Sequence, residues 1–211
     1  ADNSYASAHY QLTADIDLGS NTWKPIGSGD YDNNVFTGVF DGAGHKISNM
    51  VWDEISYGKP DDKTGVGLFG VIGANVTVKD LVIENAKIEN GVKSTGFLAG
   101  YWKAGIRNAA ADIRNVFVSG TITASGDNLG GLIGQLSGAQ DGAKIVIGSC
   151  VSDCSITAEG TNAGGMIGNG NGIYAEISDC LNIGNITLPT DPSGHYYVAG
   201  ILGRQDQKSV I

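Results

Sequence analysis

Few residues in this chain of 211 could do chemistry, and they fall into four sets. The aromatic set is Trp52, Tyr57, Tyr101, Trp102 and Tyr196, each in or beside an irregular segment. Aromatic rings stack on sugar rings and anchor protein interfaces, so these five are the candidate binding residues. Their structural alternative is to cap or plug the edge of the fold. The carboxylate set offers two further chemistries. Glycosidic hydrolysis needs two carboxyl groups about 5–9.5 Å apart, and Asp80 and Asp179 are the acids at equivalent positions. A lyase would want a base beside acidic calcium ligands, and Lys103, Arg107 and Arg114 with Asp112 come nearest. Asp15 and Asp17, then Asp30, Asp32, Asn33 and Asn34, carry oxygens suited to Ca²⁺. No EF-hand or nonapeptide pattern joins them, so a polar loop is the plainer reading. No cofactor is expected beyond a weak calcium candidate near Asp30 and Asp32.

His9, His45 and His195 are the histidines, and none lies in a paired-His motif with an intervening Glu, so zinc-protease chemistry is not expected. His45 reads as a turn residue. Cys150, Cys154 and Cys180 lack a second ligand pair for a metal. Buried thiols behave as small hydrophobes, which is the default here. A Cys150–Cys180 disulfide between neighbouring repeats is sterically open.

The elements that would position these residues follow from composition. Lys and Arg number 13 against 22 Asp and Glu, a net charge of −9 with a pI near 4.6. Nonspecific binding to nucleic acid or anionic lipid is therefore excluded as a class. No run of about 18 apolar residues exists, so membrane insertion by a helix is not expected. The opening ADNSYASAHY carries neither the basic nor the apolar region of a signal peptide. Glycine numbers 33 and proline only 4, with 21 Ile and 15 Val. Gly costs a helix about 1 kcal/mol relative to Ala, while β-branched residues suit strands. The composition predicts an all-β chain with many tight turns.

The chain also repeats itself. Gly67-Leu68-Phe69-Gly70 returns as Phe97-Leu98-Ala99-Gly100, Gly131-Leu132-Ile133-Gly134, Gly165-Met166-Ile167-Gly168 and Gly200-Ile201-Leu202-Gly203, with Gly38-Val39-Phe40-Asp41 as an altered first copy. A second set of columns aligns Ile47, Val78, Ile113, Ile147 and Ile177. Two residues on come Asn49, Asp80, Asn115, Ser149 and Asp179, then Met50, Leu81, Val116, Cys150 and Cys180. A third apolar column holds Ile88, Ile122, Ile156 and Ile186. A repeat of about 30 residues cannot bury its own apolar face, but stacked copies bury one continuous core. This spacing predicts a single-stranded right-handed parallel β-helix of about five to six coils, the hand resting on the general preference of parallel crossovers. Residues 1–35 would form an N-terminal cap and first half-coil, and 36–211 the repeats. The Asn/Asp/Ser column reads as a corner in left-handed backbone, and the Gly column as a second corner with positive φ. Segments 53–63, 101–110, 137–143, 169–174 and 189–196 vary most, and such insertions are where a solenoid carries function.

These strings resemble the GLUG-motif repeat proteins of bacterial cell surfaces: VGLFG at 66–70, GGLIG at 130–134 and GGMIG at 164–168, after YQLTADIDLG, WKPIG and FTGVFDGAGHKISNM. The resemblance implies a parallel β-helix in secreted or surface-anchored bacterial proteins, adhesin-like, and similar to repeats flanking IgA-specific metallopeptidases. It implies no shared catalytic residue. The expected function is a non-catalytic surface module that binds a glycan or host extracellular protein through its loops. A polysaccharide lyase or glycoside hydrolase on the same fold, and a passive spacer, are the alternatives. The sequence stops just after the last Gly-Ile-Leu-Gly, so a bare end coil is expected to associate end to end.

Overall fold

A computed structural model describes residues 3–19, 21–27, 35–53, 65–91, 94–138, 142–172, 174–188 and 196–206. Its strands are all parallel and stack as a β-solenoid of about five turns. Among the described residues they form a 12-stranded, a five-stranded and a four-stranded sheet that run the length of the stack. No helix there is long and apolar enough to cross a membrane.

The repeat is legible in the pairing. In the five-stranded sheet Phe69 pairs with Ala99, Ala99 with Ile133, Ile133 with Ile167 and Ile167 with Leu202. In the long sheet Val78, Ile113, Ile147 and Ile177 lie in register, as do Ile88, Ile122, Ile156 and Ile186. Neighbouring strands lie about 4.8 Å apart, so every apolar side chain sits on its equivalent from the coil below. Ile88, Ile113, Ile122, Leu132, Ile133 and Ile147 are fully buried or nearly so, one core built from rows rather than from isolated contacts.

The strands Thr77–Gly91 and Ala110–Ala124 are too long to be straight and bend at left-handed residues. Asp80, Asn115, Ser149 and Asp179 have φ of 53°, 52°, 54° and 55°. Short polar side chains tolerate this conformation because they can hydrogen-bond locally, which is the corner expected of that column. Asn49 also has positive φ, 59°, but belongs to another corner. Its amide donates to Asp17 at 2.7 Å and its oxygen accepts from Asn85, while Ile47 pairs with Ile83 rather than Val78. Val51 pairs with Lys87, so Met50 too leaves the Leu81 column. The step from Val39 to Thr77 is 38 residues, against 30 from His9 to Val39 and 35 from Thr77 to Asp112, so a fixed step of about 30 merges two corners that the structure separates.

Two further expectations are corrected. The string Gly38-Val39-Phe40-Asp41 is not a copy of the repeat motif: Val39–Asp41 pairs with Thr77–Lys79 in the long sheet. Opposite Phe69 lies Ile26 of the WKPIG segment, and Gly70 donates to its carbonyl at 2.8 Å. Nor is the motif glycine a positive-φ corner. None of Gly70, Gly100, Gly134, Gly168 or Gly203 has positive φ. A Cβ on Gly134 would lie 2.3 Å from the Thr95 nitrogen, and one on Gly168 2.5 Å from the Leu129 nitrogen. Glycine recurs there because a strand of the four-stranded sheet packs its backbone directly against it.

The described part of 1–35 joins the stack. His9–Gln11 pairs with Val39–Asp41, and the Trp23 indole, packed against the core, donates to the Leu68 carbonyl at 3.1 Å. At the opposite end Leu181, Ile183 and Tyr197 are about half exposed: Tyr197 lies opposite the buried Asn162, while Leu181 and Ile183 continue the outward positions of Val151 and Asp153.

Candidate functional site

The close approach at Gly134 and Gly168 sets two rows of side chains beside each other. In the five-stranded sheet Tyr101, Gln135, Asn169 and Arg204 are in register. In the four-stranded sheet Ser94, Asn128, Asn162 and Tyr197 are in register. Burial alternates along Ala99–Lys103 and Ile133–Ser137, so Trp102 and Leu136 enter the core while Tyr101, Gln135 and Ser137 stay partly exposed.

Hydrogen bonds join the rows into a polar seam. Ser94 Oγ and Asn128 Nδ2 both donate to Gln135 Oε1, at 3.0 and 2.9 Å. Asn162 Nδ2 and Asn169 Nδ2 both donate to Asn128 Oδ1, at 2.9 and 3.1 Å. Asn162 and Asn169 are nearly fully buried, and the Oδ1 atom of each is left without a hydrogen-bond partner. Both oxygens are closed off from the surface, so they belong to the interior of the seam, while Tyr101, Gln135 and Arg204 form its partly exposed side. At one end Arg204 lies over the Tyr197 ring, 5.0 Å from its centroid. At the other end burial raises the Tyr101 phenol above its ordinary range, opposed by a hydrogen bond with Ser137 and by the nearby Lys103 charge. The phenol therefore stays protonated at neutral pH and acts through hydrogen bonding. Amides, hydroxyls, phenols and one guanidinium can recognise a hydroxyl-rich ligand, but they include neither a nucleophile with its base nor a pair of carboxyls.

The candidate aromatics divide. Trp52 pairs with Ile88 and Trp102 with Leu136; both are 0% exposed. Their alternation with polar neighbours puts the rings inside, where Trp102 Nε1 donates to the Gly73 carbonyl at 2.9 Å. Neither ring can touch a ligand, so both are corrected to core residues. Tyr101 lies in the seam. Tyr196 is partly buried immediately before Tyr197. Tyr57, and the calcium candidates Asp30 and Asp32, lie outside the described residues.

Sequence reasoning passed over Gln135, Asn128, Asn162, Asn169 and Arg204, while Tyr197 stands beside the candidate Tyr196. One signal was present: Asn128 and Asn162 each stand in an Asn-x-Gly-Gly string that opens the motif. The acids are dispersed. Asp80 and Asp179 are three coil steps apart, about 14 Å at 4.8 Å per strand, beyond the reach of paired carboxyl catalysis. Arg114 is committed to Asp112 at 2.6 Å. His45 contacts Asp15 at 3.0 Å beside a turn. Among the described residues no group of three or more His, Cys, Asp or Glu is placed to hold a metal.

Fold and seam together define a parallel β-solenoid with a largely buried polar seam along one side. No family model matches the chain. Halomucin from Haloquadratum walsbyi is 33% identical over 134 residues, 59% of this chain and 1% of that protein. A protein of Evansella cellulosilytica assigned as a Gly-rich membrane protein is 33% identical over 114 residues, 50% of this chain and 12% of that protein. The chain thus spans a small fraction of both relatives. A solved structure assigned as an immunoglobulin A1 protease from Bacteroides ovatus covers 95% of this chain and 78% of its own, at 17% identity and a TM-score of 0.40.

Proposed function

We propose that this chain is a non-catalytic display module of a surface protein, and that the seam from Tyr101 to Arg204 binds a glycan or a glycosylated extracellular protein. The observation that carries this reading is the row of partly exposed polar side chains Tyr101, Gln135 and Arg204 along one sheet, with the exposed Tyr197 beside Arg204. Sugar hydroxyls can exchange hydrogen bonds with the phenol, amide and guanidinium groups of this row, and the phenol rings offer faces for stacking. The names of the two relatives, halomucin and a Gly-rich membrane protein, support a surface or membrane-associated setting. The Gly-flanked strings in register over successive coils support the GLUG-type reading of the repeat. The dispersed acids favour binding over cleavage.

The test is a binding screen of the purified chain against mucins, matrix proteins and acidic polysaccharides, with polymer length followed in the same samples. Saturable binding with intact polymer is expected. A shortened polymer would instead establish a glycan-cleaving enzyme, and silence across the panel a passive spacer.

A further inference from the structure

The cysteines supply an inference independent of the seam. Cys150 follows Ser149 and Cys180 follows Asp179, and both of those residues are left-handed, with φ of 54° and 55°. The two cysteines therefore leave the same corner in the same direction, one coil apart. The Leu181 nitrogen donates to the Cys150 carbonyl at 2.9 Å, which holds the two backbones in register. The thiols occupy equivalent environments: Cys150 Sγ lies 3.3 Å from the Gly148 carbonyl and 3.8 Å from that of Ile113, Cys180 Sγ 3.2 Å from Ser178 and 3.6 Å from Ile147. A coil rise of about 4.8 Å falls inside the Cα separation of about 4.4–6.8 Å that a disulfide spans.

We propose that Cys150 and Cys180 are a thiol pair that closes to an inter-coil disulfide by exchange with a small-molecule disulfide, clasping the last described coil to the body of the solenoid. Cys180 is the attacking group. It is half-buried, whereas Cys150 is fully buried. A hydrogen bond from the Cys150 thiol lowers the Cys180 pKa to about 7, against opposing contributions from burial and the Asp179 charge. Cys150 is pushed far up, first by that same bond and then by burial, with Val116 and Arg114 opposing. A thiolate with a protonated neighbour is the arrangement that makes a cysteine reactive.

The exchange balances. The Cys180 thiolate attacks one sulfur of the oxidant and forms a mixed disulfide, releasing one thiolate of the reagent. Cys150 then loses its proton and attacks Cys180 Sγ, releasing the second reagent thiolate. The two cysteines are oxidised by two electrons, and the reagent disulfide is reduced to two thiols. Cys154 takes no part: its thiol is buried on the same strand and pushed up to about 12, chiefly by burial.

The experiment incubates the full chain with oxidised glutathione, alkylates under denaturing conditions and maps the products by mass spectrometry. The expected result is loss of two hydrogen atoms, one alkylated cysteine at Cys154 and a Cys150–Cys180 cross-linked peptide. Thermal unfolding of the oxidised chain shifts upward, and reductant reverses the shift. In Cys150→Ser the glutathione adduct persists on Cys180 and the upward shift is absent. Three alkylated cysteines, a cross-link that includes Cys154, or a persistent glutathione adduct on the wild-type chain would each overturn the assignment. So would the absence of an adduct in Cys150→Ser.

Discussion

Asn115 donates its side-chain amide to the Asp80 carboxylate at 2.7 Å from one coil above, and the backbone of both residues is left-handed. The contact links two levels of the fold, since the conformation that turns the chain is held by the side chain that stacks the coils. A non-glycine residue in this region costs about 1–2 kcal/mol, which the ladder offsets in part. Asn115→Gly removes both the conformational cost and the hydrogen bond, so a change of under about 1 kcal/mol is expected. Asn115→Val is expected to lose about 1–3 kcal/mol, because a β-branched residue at positive φ is strained. Urea unfolding of the two variants checks this; equal midpoints would contradict the corner.

Gly134 tests the close approach of the two smaller sheets. A Cβ there would meet the Thr95 nitrogen at 2.3 Å and the Gly100 oxygen at 2.7 Å, both backbone atoms with little room to move. Gly134→Ala is expected to cost about 1–3 kcal/mol or more, as overpacking does. Gly44 has φ of 80° but open space around it, so Gly44→Ala reports backbone strain alone. Circular dichroism melts should place the Gly134 variant well below the Gly44 variant, and the reverse order would contradict the packing.

Asn128 holds the seam together, since it donates to Gln135 and accepts from Asn162 and Asn169. Replacing it with Leu leaves two buried donors unpaired, at about 1–3 kcal/mol for each group stranded. A loss of cooperativity or a fall in midpoint is expected for Asn128→Leu. Asn169→Leu, which deletes one donor together with its unpartnered acceptor, should be milder. A neutral Asn128→Leu would show that the seam carries no strain on its partners.

The acid limb of stability follows from carboxylates held below their ordinary range. Asp41 is lowered first by its ion pair with Lys79 and then by the Ala43 N–H. Asp17 is lowered by the Asn49 amide and the Gly19 N–H, and Asp15 by the Lys46 N–H and His45. A folded pKa below the unfolded value contributes stability that is present above about pH 4 and lost as pH falls through the folded pKa. Thermal midpoints should therefore drop between about pH 5 and pH 2. Asp41→Asn should flatten part of that drop, and an unchanged acid limb would contradict the pairing.

The parallel stack was legible because its rows are apolar and periodic: Ile113, Ile147 and Ile177 announce one another at nearly constant spacing. The Asn115 corner was legible for a related reason, since few residue types tolerate left-handed backbone. Trp52 and Trp102 were misplaced because one aromatic beside a variable segment looks the same whether it points inward or outward. Only the pairing of Trp52 with Ile88 and of Trp102 with Leu136 decides it. The motif glycine was recognised, but its cause is the approach of a strand far away in sequence, which no local pattern encodes. The seam was missed for the same reason, because Asn128 and Gln135 become partners only after the chain folds back.

The most direct test of the central claim is a binding titration of wild type, Tyr101→Ala and Arg204→Ala against the glycan or glycoprotein that the screen identifies. Thr121→Ala, on the exposed face of the long sheet, serves as control. The account predicts that both seam variants weaken binding at least several-fold while melting close to wild type, and that Thr121→Ala leaves the isotherm unchanged. Equal affinity in all four proteins would place the ligand elsewhere and contradict the seam as the binding surface.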